Sequence, residues 1–393
     1  MRVLFIHYGT FESNSAIQTF HFANRLADLG FEVAVCGRAA ELVAGVGEPR
    51  FEVLEYRDLG SKVASYRRDP RETVLHAWTP RERVRRATAE AAARLGTPYV
   101  VHLEDNEEHL LGAIEGREFA ELREAPPEEQ DSVVGLGYAH PSRYPEFMRG
   151  AAGVTVITEE LNEFNFGRRP SHVMRPGVDT ERFSPEVEAA TTRERLGIAP
   201  DEFLLVYQGA MHRANEPEMF SLYLAVTLLQ RRGHRVRLLR LGENWTHGVD
   251  PSMGALRDRG VVEIGAVPWR EIPGYLTLAD AFVQPGAPDE FNRYRLPSKL
   301  PEFLAMGRPV VLPRCNIGAE LEPGVEALLL DRGTGVEIAD RVESLIRDPA
   351  LARRLGRSAR EFALANLDWD ENTARLADFY RRIVGSTRNG EGT

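Results

Sequence analysis

The sequence predicts an α/β protein made of two doubly wound, Rossmann-like domains, and three observations carry that prediction. At 393 residues the chain is too long for one ordinary core and suits two domains of this size. It opens with strand, loop, helix and strand in succession, a pattern that builds parallel sheets. The same succession restarts near residue 203. Hydrophobic residues make up 43% of the chain, enough for two substantial cores. No apolar run approaches the roughly 18 residues that would cross a bilayer.

Met1 to Tyr8, with Val3, Leu4, Phe5 and Ile6, is the continuous apolar run of a central parallel strand. A polar loop follows from Gly9 to Ser15, then helical spacing from Ala16 to Leu29, a stop at Gly30 and a second strand from Phe31 to Val35. This places Gly9, Thr10 and Ser13 at a strand's carboxyl end, where sheets of this kind bind ligands. The loop lacks Gly-x-Gly-x-x-Gly, so a nicotinamide cofactor is not expected. Further strands are expected at Phe51 to Leu54, Thr73 to Ala77 and Tyr99 to Leu103, with a helix from Pro80 to Leu95.

The last of these strands runs into His102-Leu-Glu104-Asp105-Asn106-Glu107-Glu108-His109. Such a cluster can line a catalytic cleft, begin an exposed helix or, given its two His and its carboxylates, hold a metal; it contains no His-x-x-x-His or Asp-x-Asp. His102 is the candidate catalytic residue within it. Residues 116–149 are weakly patterned and polar, and are expected to be a lid or mobile loop that selects a second substrate. A strand at Gly153 to Ile157 follows, and then a helix start capped by Thr158.

In the second half, Phe203 to Gln208 is a strand and Gly209-Ala-Met-His212-Arg213-Ala-Asn215-Glu216 its loop. The helix Glu218 to Gln230 and the strands Val236 to Leu241 and Val261 to Gly265 continue the pattern. The densest signal is Glu290-Phe-Asn-Arg-Tyr294-Arg-Leu-Pro-Ser298-Lys299-Leu300-Pro-Glu302-Phe-Leu-Ala-Met-Gly307-Arg-Pro-Val-Val. Ser298 is a good N-cap, Pro301 fits a first helical turn, Gly307 suits a left-handed stop and Val310 to Leu312 reads as a buried strand. A helix starting at Ser298 would aim the N–H groups of Lys299 and Leu300 at an anion, with the Lys299 ammonium beside them. Glu302, one turn on, can accept both protons of a vicinal diol. Diphosphate beside a ribose is the ligand these groups describe.

The same stretch resembles the C-terminal signature of retaining glycosyltransferases of the GT-B fold, in particular their nucleotide-sugar-dependent family 4. That signature is written roughly Glu, seven residues, Glu, Ala-Met-Ala-x-Gly-x-Pro-Val-Val. Glu302 onward matches its second half, while Tyr294 stands where the first Glu belongs and Glu290 is the nearest acid upstream. The resemblance implies two Rossmann-like domains facing across a cleft, with a C-terminal helix from Trp369 crossing back. It assigns the ribose to Glu302, the diphosphate to Lys299, Arg213, Gly209, Ser298 and Leu300, and the donor sugar to Glu290, Tyr294 and Gly9. Backbone near Val267 is assigned to the nucleobase. Met174-Arg175-Pro176-Gly177-Val178-Asp179-Thr180-Glu181-Arg182-Phe183 resembles the family's interdomain linker, with Arg-Pro-Gly in place of Pro-Asn-Gly. Domains of 1–183 and 184–368 follow, then a crossover helix and tail at 369–393.

The expected activity is therefore metal-independent, retaining transfer of a sugar from a nucleotide diphosphate sugar, the donor substrate, with no cofactor. The acceptor would be a small molecule, a polysaccharide or a lipid-linked sugar. Two other readings stand beside it: a GT-B sugar-nucleotide epimerase, and a nucleotide-sugar-binding protein that no longer transfers. A net charge of −10 argues against extended nucleic-acid binding. Arg67, Arg68, Arg71, Arg81, Arg83, Arg85 and Arg86 form either a solvated helix face or a surface for an anionic or membrane-associated acceptor, at most a peripheral contact. The N-terminus has no signal-peptide pattern, so a cytoplasmic location is expected. Cys36 and Cys315, far apart in sequence, read as reduced structural residues.

Overall fold

Thirteen strands, every pairing parallel, form two sheets in the computed structural model, which describes residues 1–9, 14–38, 47–68, 72–245, 254, 256 and 260–390. The chain divides into two units: Met1–Pro176 with Trp369–Thr393, and Gly177–Asp368. The division falls at Pro176, ahead of the expected boundary after Phe183. The reason is packing: Val178 N–H donates to Leu367 O at 2.8 Å, and the buried Phe183 lies 6.2 Å from the Trp269 ring, all within the second unit. The C-terminal helix, Trp369–Gly390, belongs to the first unit.

In the first unit the strands are β1 (Arg2–His7), β2 (Glu32–Gly37), β3 (Glu52–Glu55), β4 (Thr73–Trp78), β5 (Tyr99–Leu103), β6 (Gly153–Val156) and β7 (Ser171–Val173). Their spatial order is β3-β2-β1-β4-β5-β6-β7. β1 and β4 are covered on both faces, which is why both read as apolar runs rather than alternating strands. The helix Asn14–Asp28 packs against the C-terminal helix, with Phe22 edge-on to Trp369 at 5.1 Å. Burying a ring such as Phe22 contributes about 1.5–3 kcal/mol.

Residues 116–149 are helical rather than an irregular lid. The helices Phe119–Glu124, Pro127–Val133 and Arg143–Gly150 form there because Phe119, Leu122, Tyr144, Phe147 and Met148 are buried. The arginine patch is dispersed as well. Arg81 is buried against Glu107 at 3.0 Å, Arg85 and Arg86 pair with Glu82 at 2.6 Å, and Arg71 lies outside the described residues. Both cysteines are buried and neither forms a disulfide.

The second unit contains β8 (Phe203–Gln208), β9 (Val236–Leu241), β10 (Val261–Gly265), β11 (Ala281–Val283), β12 (Val310–Pro313) and β13 (Leu328–Leu330), ordered β10-β9-β8-β11-β12-β13. Written from β8 outward, this is the 3-2-1-4-5-6 order of a doubly wound sheet, and the order reverses between β8 and β11. The helices Glu216–Arg231 and Gly335–Arg347 cover one face. Among the described residues no helix is long and apolar enough to cross a membrane.

Candidate functional site

The strand order reverses between β8 and β11, the point at whose carboxyl end sheets of this class bind ligands, and Lys299 of the dense signature lies there. β8 ends in Tyr207 and Gln208, Gln284 directly follows β11, and Lys299 reaches both strands. Its Nζ donates to Tyr207 Oη at 3.1 Å and to Gln284 Oε1 at 3.3 Å, and lies 4.4 Å from the Tyr207 ring centre. An ammonium has three donors, so one is left uncommitted among the described residues.

The loop after β8 is pressed against this lysine. Gly209 has φ +148°, and a Cβ there would lie 2.8 Å from Lys299 Nζ; a Cβ on Gly242 would meet Gly209 O at 2.5 Å. Only glycine fits either position, so backbone rather than side chain borders the ammonium.

Lys299 opens a helix of seven residues, Lys299–Ala305. The expected Ser298 cap is not formed. Ser298 has helical φ −57° and ψ −22° and its side chain makes no capping bond, because the chain enters the helix through a turn in which Leu300 N–H donates to Pro297 O at 3.0 Å. That bond uses the amide that was expected to face an anion, and the Leu300 side chain is fully buried. Pro301 sits in the first turn, Gly307 has φ +66°, and β12 follows, as the sequence predicts.

Glu302 lies one turn beyond Lys299. The residue is half-buried, but its Oε2 is closed off from solvent and has no hydrogen-bond partner. Burial raises its pKa to about 7 against opposing hydrogen bonds from Gln208 and Trp269 and the charges of Lys299 and Arg182. Gln208 Oε1 is likewise buried without a donor. Two neighbouring acceptors thus lack donors, as a site for a diol requires. The Arg182 guanidinium lies over the Trp269 ring at 3.5 Å and forms the adjacent wall.

A second cation is built nearby. Arg295 lies 3.7 Å over the Phe291 ring and is held by Glu218 at 3.3 Å and Asn292 Oδ1 at 2.7 Å. Burial lowers the His212 pKa, and the charges of Arg295 and Lys299 lower it further, so this imidazole is neutral at pH 7.

Other expected residues fall elsewhere. Arg213 is exposed in the Gly209 loop, Glu290 is exposed on the short helix Glu290–Arg293, and Ser298 is exposed. Tyr294 is only 4% exposed, with Arg293 lying 5.2 Å over its ring, so it is a packed side chain rather than a substitute for an acid. Val267 is half-buried in the loop after β10. Gly9 and His102 belong to the first unit. Gly9 N–H donates to His7 Nδ1 at 3.1 Å, while Thr10 and Ser13 lie outside the described residues. His102 is fully buried, bonded through Nδ1 to Thr155 at 3.0 Å and 4.5 Å from Trp78. Burial drops its pKa to about 3, so it is a neutral core histidine and not an exchangeable catalytic acid.

The polar cluster after β5 centres instead on Glu104, which accepts from Ser15 Oγ at 2.7 Å and Trp78 Nε1 at 2.9 Å. Beside it Thr79 holds a strained φ of +77°. Asn106 caps the helix Glu107–Glu115 by accepting from His109 N–H. Among the described residues no group of three or more His, Cys, Asp or Glu is placed to hold a metal. Tyr207, Gln208, Gln284, Trp269 and Arg295 were not picked out from the sequence. The available signal was a polar residue at the end of an apolar strand, as at Gln208 and Gln284.

Residues 202–348 match the family described as glycosyl transferases group 1, so the second unit carries a domain of that family, set in a protein of GT-B architecture. The D-inositol 3-phosphate glycosyltransferase of Pseudarthrobacter chlorophenolicus is 28% identical over 214 residues, which are 53% of this chain and 49% of that protein. The GDP-mannose-dependent alpha-(1-6)-phosphatidylinositol monomannoside mannosyltransferase of Mycolicibacterium smegmatis is 31% identical over 218 residues, 52% of this chain and 54% of that one. The chain thus spans about half the length of these curated relatives. Whole-chain likeness comes from solved structures: sucrose-phosphate synthase from Thermosynechococcus elongatus (TM-score 0.69, 15% identity, 98% of this chain and 99% of that one). HepE from Anabaena in complex with UDP has a TM-score of 0.69 at 17% identity, covering 97% of this chain and 100% of that one. At these identities the two structures show the shared fold.

Proposed function

We propose that this protein is a retaining glycosyltransferase that takes a sugar from a nucleotide diphosphate sugar and passes it to a carbohydrate, lipid-linked or small-molecule acceptor. The observation that carries the reading is Lys299, held between Tyr207 and Gln284 where the strand order reverses, with the under-bonded Glu302 one turn away. The names of the curated relatives supply the reaction class, and HepE was crystallised with UDP.

In this reading the ribose hydroxyls donate to Glu302 and Gln208, and the diphosphate meets the spare Lys299 donor. When the glycosidic bond breaks, charge grows on the departing diphosphate. A fixed ammonium stabilises that charge without reorganising. Arg295, braced by Glu218 and Asn292, adds to the same positive field. We assign acceptor recognition to the first unit, at the polar centre formed by Glu104, Ser15 and Trp78. Retention of anomeric configuration is carried over from the family resemblance.

The test is thermal stabilisation by UDP-, GDP-, ADP- and dTDP-sugars, followed by product analysis. A donor at 100 times its Kd stabilises the folded state by about 2.7 kcal/mol. Failure of every donor to stabilise the protein overturns the reading. Product formed only when an acceptor is present supports transfer. Conversion of the sugar nucleotide alone would indicate the epimerase chemistry named for a Listeria monocytogenes structure that shares the fold at TM-score 0.55.

A further inference from the structure

Arg240 interrupts the apolar stretch Leu238-Leu239-Arg240-Leu241 of β9 and is only 2% exposed. A leucine would fill that place without the desolvation of a charge, so what the guanidinium holds there is informative. Parallel pairing sets Arg240 level with Tyr207 on β8 and with Glu263 on β10. Tyr207 carries the hydroxyl that holds Lys299.

The Arg240 Nε donates to Glu263 Oε1 at 2.9 Å, and its Nη1 donates to two backbone carbonyls, Glu243 O at 3.3 Å and Gly209 O at 3.5 Å. Glu263 is fixed in turn by the Tyr223 hydroxyl, which donates to the same Oε1 at 3.1 Å. Arg240 therefore ties the loop after β8 to the loop after β9 from inside the sheet. The backbone joins the same two loops further out, where Met211 N–H donates to Glu243 O at 2.9 Å and Trp245 N–H to Met211 O at 2.8 Å.

The Gly209–Ala210 peptide is trans, so with its carbonyl turned to Arg240 its N–H points the opposite way. That amide has no hydrogen-bond partner among the described residues. Gly209 is also the residue on which a Cβ would lie 2.8 Å from Lys299 Nζ, so the amide and the uncommitted ammonium donor are neighbours at the end of β8. Two such donors side by side suit an anion.

Resting on the donor-site reading above, we propose that Arg240 is a positioning residue for the transfer. By gripping the Gly209 and Glu243 carbonyls, it holds the Ala210 N–H toward the diphosphate of the nucleotide sugar, while Glu263 and Tyr223 hold Arg240. It touches no substrate itself. The planar fork is what the task requires, because a lysine ammonium can pair with Glu263 but cannot span the carboxylate and both carbonyls at once.

The experiment compares the unaltered protein with Arg240→Lys, which keeps the charge, and with Arg240→Met/Glu263→Gln, which removes both charges and leaves Tyr223 an acceptor. Denaturant unfolding first shows that each variant is folded; Arg240→Lys carries the test if the double variant is not. UDP, GDP, ADP and dTDP are titrated calorimetrically, and the nucleoside matching the tightest of them is followed by ligand-observed NMR. Both variants are expected to bind that diphosphate at least about tenfold more weakly, the loss of one hydrogen bond to a charged group, and to bind the nucleoside as the unaltered protein does. Unchanged diphosphate affinity overturns the inference. An equal loss for nucleoside and diphosphate also overturns it, since general loosening of the second unit would do the same. Failure of the unaltered protein to bind any of the four diphosphates overturns the donor-site reading and this inference with it, an outcome seen before any variant is made.

Discussion

Glu302→Gln separates what the carboxylate costs the fold from what it contributes to binding. Burial lifts its pKa from an ordinary 4.5 to about 7. The folded protein therefore holds this proton more tightly than the unfolded chain does. The stabilising effect is fully present below pH 4.5 and is lost as pH rises through 7. A shift of that size amounts to roughly 3 kcal/mol, the cost of keeping the ionised carboxylate in place at pH 8. Glutamine has nearly the same shape and no charge, and its amide can donate to the unpaired Gln208 Oε1. The variant is therefore expected to be more stable than the unaltered protein at pH 8 by up to roughly 3 kcal/mol and to match it near pH 4.5. Nucleotide affinity moves the other way. Hydrogen bonds from ribose hydroxyls to a charged acceptor contribute about 1.5–3 kcal/mol each, so affinity at pH 8 should fall at least about tenfold. Denaturant unfolding at the two pH values and calorimetric titration with the best nucleotide read both effects. A variant that is less stable at pH 8, or that binds nucleotide with unchanged affinity, refutes the reasoning.

Lys299→Ala should lower kcat by about 10²-fold or more while raising the donor KM much less, because its charge matters most as the bond breaks; steady-state kinetics would show a surface lysine by turnover that does not change. Gly209→Ala puts a Cβ 2.8 Å from Lys299 Nζ, so the lysine must leave its place between Tyr207 and Gln284, and donor affinity in a calorimetric titration should fall. Phe303 is fully buried and stacked 4.5 Å from Phe282, so Phe303→Ala should cost about 3–5 kcal/mol of stability in denaturant unfolding. Transferase activity should persist in EDTA, since Lys299 and Arg295 supply the positive charge; activity abolished by chelation and restored by Mg²⁺ would show that a metal does that work.

Much of the fold was legible in the sequence because sheets of this type write themselves as apolar runs. Val3 to Ile6, Leu204 to Val206 and Val310 to Leu312 are buried on both faces, so their side chains must be apolar throughout. Gly307 marked a helix end for an equally local reason, its positive φ. The central lysine and Glu302 were also legible, from their spacing on one short helix and the family signature around them. The cap was not. Whether Ser298 bonds an amide depends on the turn made by Pro297, a matter of backbone angles that residue preference does not settle. His102 shows the same limit: a polar cluster after a strand says nothing about which members face inward, and Thr155 on a neighbouring strand claimed this one. Residues 116–149 read as a polar loop because their buried side chains are spread over three short helices, too few in each to set up a period. What the sequence by itself determined is most of the strands, their parallel class and the placing of Lys299 and Glu302 one turn apart on a short helix. Only the tertiary structure decided that Tyr207, Gln208 and Gln284 would border them, because the strand order brings β8 and β11, more than seventy residues apart, side by side.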